Sequence, residues 1–137
     1  MQEGDLLPAI EKQVTQDSIA AYADASGDYN PIHLNEEFAM TTQFAGTIAH
    51  GMFVLAFVSE MLTVAFREQW LASGTLKIRF RGAVRPGDTV TTFGEVKKVM
   101  LDGEREIVSC AVGARTQTGD TAIAGDATVT LPAGWRP

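Results

Sequence analysis

The chain has 137 residues and a formal net charge of −6, with 45% hydrophobic and 20% charged side chains. This length suits one hydrophobic core, so we expect a single domain over residues 1–137. Seventeen acidic against eleven basic side chains argue against nucleic acid as a partner, because nucleic-acid-binding domains are usually basic. A small anionic ligand is still compatible with this charge, since it needs only a local cluster of Lys or Arg.

The chain shows no secretory or membrane-spanning pattern, and we expect a cytoplasmic protein. Its N-terminus carries acids where a secretory signal would carry positive charge. The longest apolar run, Met52 to Val58, is far shorter than the roughly 20 residues that a membrane span requires. The single Cys110 cannot form an internal disulfide and lies in an apolar run, which predicts a small buried side chain.

The first third of the chain is predicted to be helical and irregular. Thr15-Gln16-Asp17 is typical of a helix start, and Gly27 stands just beyond the end of that helix. An irregular loop follows over Asp28–His33. Asn35 then has the character of a cap, and it predicts a short helix through about Thr42.

The longest predicted helix runs from Gly51 to about Trp70. Apolar side chains surround its axis, so other elements should bury it on most sides. Strands are predicted after it, where apolar and polar residues alternate and turn signals intervene: Leu76–Arg81, Thr89–Val99, Glu106–Arg115 and Thr121–Leu131. Four strands that meander after one buried helix predict an α+β domain, with an antiparallel sheet curved around that helix.

The octapeptide Ser-Gly-Asp-Tyr-Asn-Pro-Ile-His places a carboxylate, Asp28, and an imidazole, His33, on one short segment. Its Gly and Pro disfavour an ordinary helix, and Pro31 drives Asn30 towards extended geometry. Such a segment can direct both side chains into one cleft, where an imidazole and a carboxylate can act in general acid–base catalysis. The same residues also fit a structural turn, in which Asp28 or Asn30 accepts backbone N–H groups and His33 packs.

A second motif, Ile48-Ala49-His50-Gly51-Met52, opens the long apolar helix. If the helix begins at Gly51, the free N–H groups of its first turn can stabilise a developing oxyanion. The alternative is a plain helix start whose glycine permits tight packing. Ser59 lies roughly 80° around the helix from Gly51, hence on nearly the same face. Its hydroxyl could bond the Asp28 carboxylate, a water, or the helix carbonyl one turn back.

Other candidate sites are weaker. Lys77, Arg79 and Arg81 share one strand face and fit either phosphate binding or a solvated surface. No metal site is predicted, because the two histidines lack clustered Cys or acidic partners at ligand spacing. Gly-rich phosphate loops of the dinucleotide and P-loop types are absent from the sequence.

Two segments closely resemble the MaoC-like (R)-specific enoyl-CoA hydratases of the hydratase 2 type. They read YADASGDYNPIH over Tyr22–His33 and FAGTIAHGM over Phe44–Met52. The resemblance extends over residues 10–131, and two motifs at a compatible separation make it more specific than either alone. It implies the hot-dog fold, a curved antiparallel sheet wrapped around a central helix, in agreement with the predicted elements.

The resemblance also implies a reaction, the reversible addition of water to a trans-2-enoyl-CoA to give the (R)-3-hydroxyacyl-CoA. Coenzyme A is then part of the substrate, and no separate cofactor is expected. Asp28 and His33 match the family's catalytic dyad, which holds the attacking water. Gly51 matches the backbone donor to the thioester oxygen, and Ser59 matches an active-site serine of bacterial members.

Further positions follow from the same resemblance. Asn30 and His50 match motif positions that shape the site. Asn35 stands where the family commonly has an acid, a departure that lies outside the dyad. Bulky residues of the central helix, such as Phe53 and Phe57, are expected to set the length of acyl chain accepted.

The resemblance implies a homodimer, with the dyad near the subunit interface. The acidic charge and the short apolar run predict no nucleic-acid or membrane partner. Two alternatives stay open. The chain could be a 3-hydroxyacyl dehydratase that acts on carrier-protein or branched acyl thioesters. It could instead be a non-catalytic acyl-thioester-binding subunit of a larger assembly, which would bind acyl-CoA without turnover.

Overall fold

A computed structural model describes residues 1–137, and it confirms the α+β prediction. The helices are α1 (Gln16–Ser26), α2 (Pro31–Leu34), α3 (Glu36–Ala39), α4 (Gly51–Phe66) and α5 (Glu68–Ser73). The strands are β1 (Glu11–Gln13), β2 (Thr75–Phe80), β3 (Thr89–Asp102), β4 (Arg105–Thr116) and β5 (Thr121–Leu131). None of the helices combines the length and the hydropathy that crossing a bilayer would need.

The strands form one antiparallel sheet in the order β1-β3-β4-β5-β2. The meander prediction is confirmed for β3, β4 and β5 and is wrong for β2, which pairs with β5 through Leu76 opposite Ala127 and Phe80 opposite Ile123. Residues 81–88 separate β2 from β3, far more than the two-residue turn of a tight hairpin, so the two strands need not be neighbours. The short β1, which pairs with β3, was not predicted because three residues carry no readable alternation.

Helix α4 lies against β3, β4 and β5 and contributes much of the core. Its buried side chains are Val54, Phe57, Val58, Met61, Leu62, Ala65 and Phe66. One stripe of α4 stays exposed, including Met52 and Val64, so burial is less complete than predicted. The helix also ends earlier than predicted, because Arg67 adopts φ 53° and ψ −134° and separates it from α5.

Local capping explains how the chain turns towards the site. Helix α1 begins with a reciprocal capping box between Thr15 and Ser18, and it ends at Gly27, which takes the left-handed φ of 77°. Both boundaries agree with the prediction. Gly27 therefore ends the helix directly before Asp28.

The segment predicted as a loop over Asp28–His33 contains a short helix, α2. Pro31 is its first residue, a position where the missing N–H costs nothing and the fixed φ favours the helix. The Asn30 side chain caps it by accepting the N–H of Ile32 at 3.1 Å. Asn35 caps α3 as predicted, although α3 ends at Ala39 and is shorter than expected.

Cys110 lies on β4 in the core and is 2% exposed, which confirms the predicted buried side chain. Burial raises the pKa of its thiol to about 11. The thiol therefore stays protonated at neutral pH and is a poor nucleophile.

Candidate active site

Asp28 and His33 face each other, with 3.9 Å between Asp28 Oδ2 and His33 Nε2. The His33 side chain is 11% exposed and the Asp28 side chain 53%, so the pair opens to solvent on the carboxylate side. This distance exceeds a direct hydrogen bond and leaves room for one water bonded to both atoms. The structure therefore brings the two predicted residues together, while their catalytic role stays a prediction.

The ring of His33 is oriented by the backbone of the second motif. Its Nδ1 lies 2.8 Å from the carbonyl oxygen of Ile48. A carbonyl only accepts hydrogen bonds, so Nδ1 must carry the proton of the neutral ring. The nitrogen that faces Asp28, Nε2, is consequently the one with a free lone pair.

The two carboxylate oxygens of Asp28 have different surroundings. Oδ1 accepts the backbone N–H of Asn30 at 3.1 Å, which is the structural turn that the sequence left as an alternative. Oδ2 is the oxygen that faces His33. The turn and the pairing therefore coexist, because each uses its own oxygen.

His50 contacts both members of the pair. Its Nε2 donates to the carbonyl oxygen of Asp28 at 2.9 Å, and its ring stacks on that of His33 with centroids 3.8 Å apart and planes 24° apart. The rings of Tyr22 and His50 also make an edge-type contact, with 4.8 Å between centroids and 60° between planes. His50 is 2% exposed, and its Nδ1 is buried without a hydrogen-bond partner. This placement fits the predicted site-shaping position.

Gly51 begins α4 as predicted. The first intrahelical bonds run from the N–H groups of Phe53 and Val54 to the carbonyl of His50, and no acceptor within the chain is found for the Gly51 N–H. A Cβ at Gly51 would lie 2.8 Å from Cε1 of Phe80, so the tight-packing alternative is realised. The role of oxyanion donor stays a prediction.

A cavity of about 330 Å³ lies beside Gly51. Most of its lining is apolar and includes Phe44, Ile48, Val54, Phe80 and Ile123. Phe53 and Phe57 do not line this cavity; they contact each other edge to face, and Phe53 also stacks on Tyr22. Asp28 and His33 are not among the lining residues either, but Ile48, whose carbonyl accepts Nδ1 of His33, is one of them.

Ser59 makes none of the predicted contacts within the chain. Its carbonyl accepts the hydroxyl of Thr63 at 2.8 Å, but its own hydroxyl bonds neither Asp28 nor a helix carbonyl. It lies two turns beyond Gly51, about 12 Å along the helix axis. The single chain therefore does not bring Ser59 to the pair.

The basic residues of β2 are exposed, and none of them forms an ion pair. Lys77 stands opposite Asp126 on β5, whereas Arg79 stands opposite Ala124. These two positions fit the solvated strand face that was one of the two interpretations. Arg81, the third residue of the predicted group, lies just beyond β2 and lines the cavity beside Gly51.

The fold clusters the residues that the sequence separates. One ligand atom each from Asp28, His33 and His50 lies within 4.8 Å of the others. The two histidines therefore do have a clustered acidic partner, contrary to the prediction. His33 Nδ1 and His50 Nε2 already bond carbonyl oxygens, which leaves one nitrogen of each ring for any other contact.

Sequence reasoning missed Gln16. It lies in the first turn of α1, and its Nε2 donates to the carbonyl oxygen of His33 at 2.8 Å. The side chain of Thr47 bonds the other end of the same amide. No local pattern signals these contacts, because Gln16 stands among the capping residues of a helix 17 positions upstream of His33.

Nearly the whole backbone superposes on solved structures of the hot-dog type. An (R)-hydratase from A. caviae involved in PHA biosynthesis matches with a TM-score of 0.80 and 31% identity, covering 96% of this chain and 98% of that one. The sheet wrapped around a central helix is thus the hot-dog fold that the sequence resemblance implied.

Sequence comparison gives the family. Residues 2–119 match the family model of the MaoC like domain, and the chain belongs to this family. An (R)-specific enoyl-CoA hydratase from Rhodospirillum rubrum is 34% identical over 91% of this chain and 85% of its own length. A 3-hydroxybutyryl-CoA dehydratase from Methylorubrum extorquens is 30% identical over 95% of this chain and 81% of its own length.

Proposed function

We propose that the chain is an (R)-specific enoyl-CoA hydratase, which adds water to a trans-2-enoyl-CoA and catalyses the reverse dehydration. The observation that carries the proposal is the 3.9 Å gap between Asp28 Oδ2 and His33 Nε2, with Nδ1 already bonded to Ile48. Family membership supports the reaction. Two relatives bear the names of a hydratase and a dehydratase, which are opposite directions of one type of reaction.

The water held in this gap supplies both groups that add to the double bond. Its oxygen bonds C3 of the enoyl group, and the π electrons move towards the thioester oxygen to give an enolate. The pair of Asp28 and His33 removes one proton from the water and delivers a proton to C2 as the enolate collapses. Each turnover consumes one water, and the pair of Asp28 and His33 returns to its starting protonation state.

The negative charge that develops on the thioester oxygen needs a donor. The Gly51 N–H at the start of α4 has no acceptor within the chain and lies beside the apolar cavity, which suits this role. A preorganised backbone donor of this kind typically contributes about 10²–10³ in rate. Together with the pair, it gives each developing charge a fixed partner.

The test is hydration of crotonyl-CoA and longer enoyl-CoAs, followed as loss of the enoyl-thioester absorbance, with the product's configuration read by chiral chromatography. Asp28→Asn and His33→Ala should each lower kcat by about 10²–10⁴ without unfolding the protein. Asp24→Asn is the matched control. Asp24 is exposed and bonds only the Tyr29 hydroxyl, so this variant should stay near the wild-type rate.

Other results would change the assignment. Faster turnover of carrier-protein thioesters than of CoA thioesters would make the chain a carrier-linked dehydratase. Tight acyl-CoA binding without turnover would make it a binding subunit. Wild-type rates in both Asp28→Asn and His33→Ala would remove the pair from the mechanism.

We also propose that the active form is a homodimer. Edge strand β2 is unpaired on one side, and exposed apolar side chains lie on α4, α5 and β2, among them Met52, Val64, Leu71 and Phe80. Such a surface supports association of two copies. Light scattering should give twice the chain mass of 14.7 kDa, and Val64→Glu should lower it to the monomer mass. A monomeric wild type would contradict the proposal.

The reaction as proposed needs no cofactor, because coenzyme A is part of the substrate. A cytoplasmic location is the corresponding proposal for the cell. Its support is the single cysteine, which is buried and cannot be part of an internal disulfide. Fractionation of the source cells would test it, and recovery with an organelle or extracellular fraction would contradict it.

A further inference from the structure

The backbone carbonyl of His33 lies near the end of α2, where a helix of four residues leaves its last carbonyls without intrahelical partners. Gln16 donates its Nε2–H to this carbonyl at 2.8 Å. We infer that Gln16, together with Thr47, is a positioning residue that holds the His33 imidazole in its working orientation.

The amide of Gln16 is fixed at both ends. Since the His33 carbonyl only accepts, the amide nitrogen must point towards it, and the amide oxygen then faces Thr47. That oxygen accepts the Thr47 hydroxyl at 2.8 Å, while the Thr47 N–H donates to Oε2 of Glu36 at 3.2 Å. Thr47 is 4% exposed, so water has little access to replace these bonds.

The position of Thr47 connects these hydrogen bonds to the imidazole ring of His33. Thr47 directly precedes Ile48, whose carbonyl accepts Nδ1 of His33. Gln16 therefore joins the segment that carries the His33 ring to the segment that holds the ring. Ile48 reinforces the connection by donating its N–H to the Ile32 carbonyl at 3.2 Å.

Loss of the Gln16 amide frees the two segments to separate. The hydrogen bond between His33 Nδ1 and Ile48 then lengthens, the ring gains access to its other tautomer, and Nε2 is no longer held towards Asp28. A misplacement of about 1 Å can cost roughly 10²-fold in rate. Since the stack on His50 remains, we expect a smaller loss, of about tenfold in kcat.

The kinetic test rests on the proposed function, and it compares Gln16→Met with Thr47→Val. Each variant should lower kcat, by about tenfold for Gln16→Met and less for Thr47→Val, with KM changed by less than about twofold and a shifted pH profile of kcat. The double variant should lose no more than Gln16→Met alone, because both changes break one network. Thr47→Val removes a single hydroxyl and keeps the test available if Gln16→Met unfolds.

Gln117→Met is the matched control. Gln117 also uses both ends of its amide, accepting the N–H of Thr89 and donating to Asp88, each at 2.9 Å, but it contacts no residue of the pair. It should leave kcat and the pH profile unchanged. If Gln16→Met merely lowers the melting temperature by as much as this control does, and kcat is unchanged, the positioning role is wrong.

A second readout does not depend on activity. In ¹⁵N-edited spectra of the imidazoles, wild-type His33 should show the Nδ1–H tautomer, and Gln16→Met should show a mixture of tautomers. An unchanged His33 spectrum in Gln16→Met would overturn the inference, whatever the activity of this variant. Absence of turnover in the wild type, with the tautomer shift present, would reject the proposed function and keep the positioning role.

Discussion

His50 donates its Nε2–H to the carbonyl oxygen of Asp28 at 2.9 Å, across 22 positions of sequence. The same ring forms the surface on which the His33 imidazole lies. One side chain therefore sets the backbone position of the carboxylate and the plane of the imidazole. Because His50 directly precedes Gly51, it also ties the pair to the start of α4.

We expect His50→Phe to lower kcat by about tenfold with little effect on KM, because it keeps the ring and loses the bond to Asp28, worth about 0.5–1.5 kcal/mol. His50→Gln should lower kcat for the opposite reason, since it keeps a donor to Asp28 and loses the stack on His33. Steady-state kinetics on crotonyl-CoA would measure both. Tyr22→Phe is the control, since it keeps the ring that contacts His50 and removes only a hydroxyl. Equal rates for Tyr22→Phe and His50→Phe would contradict the prediction.

The donor role of Gly51 can be separated from its packing role. Gly51→Ala and Gly51→Pro both place a Cβ against Phe80, but only the proline removes the N–H. Proline is tolerated at a first helical position. His50 has φ −59° and ψ 134°, an extended backbone that suits a residue preceding proline. We expect kcat of Gly51→Pro to lie about 10²–10³ below that of Gly51→Ala.

Both variants would be made with Phe80→Leu as well, which relieves the contact with the new Cβ. The melting temperature should recover in both double variants, whereas kcat should recover only in the double variant that contains Gly51→Ala. Equal kcat values for the alanine and proline variants would show that the Gly51 N–H does not stabilise the thioester oxygen.

The cluster of Asp28, His33 and His50 makes metal removal informative. The proposed reaction uses the carboxylate and the imidazole directly, so we expect full activity after extended dialysis against EDTA. Metal analysis of the dialysed protein would verify that no ion is retained. Loss of activity that added Zn²⁺ restores would instead assign the cluster to a metal.

Cys110 predicts a pH dependence of stability. Burial raises the pKa of its thiol from 9.0 to about 11, so between these values the unfolded chain loses a proton that the folded chain retains. The free energy of unfolding should therefore fall as pH rises from about 9 to 11, in part because of this group. Urea titrations of the wild type and Cys110→Ala would measure the difference, and parallel pH profiles for the two would contradict the prediction.

The parts of this molecule that sequence predicts are the ones set by local chemistry. The caps of α1 and α3, the start of α4 at Gly51 and the strands after it depend on neighbouring residues, and they are found where they were expected. The predicted loop at Pro31 is instead the start of α2, because proline disfavours a helix interior but favours the first position of a helix.

The features that the sequence did not predict depend on contacts between distant segments. The pairing of β2 with β5, the Gln16 bond to His33 and the stack of His33 on His50 join residues that share no local pattern. The sequence named Asp28 and His33 as a pair, but the partners that orient them become visible only once the chain is folded. Ser59 shows the converse, since helical spacing placed it on the face of Gly51 without bringing it to Asp28.

The position of β5 between β4 and β2 has a consequence for synthesis. β5 is the last strand of the sequence, yet it separates the edge strand from the rest of the sheet and covers part of α4. A ribosome therefore completes the apolar α4 and β2 well before their cover exists. During that interval the nascent chain exposes surface that chaperones bind, and a deletion of residues 121–131 should produce aggregation instead of a smaller folded domain.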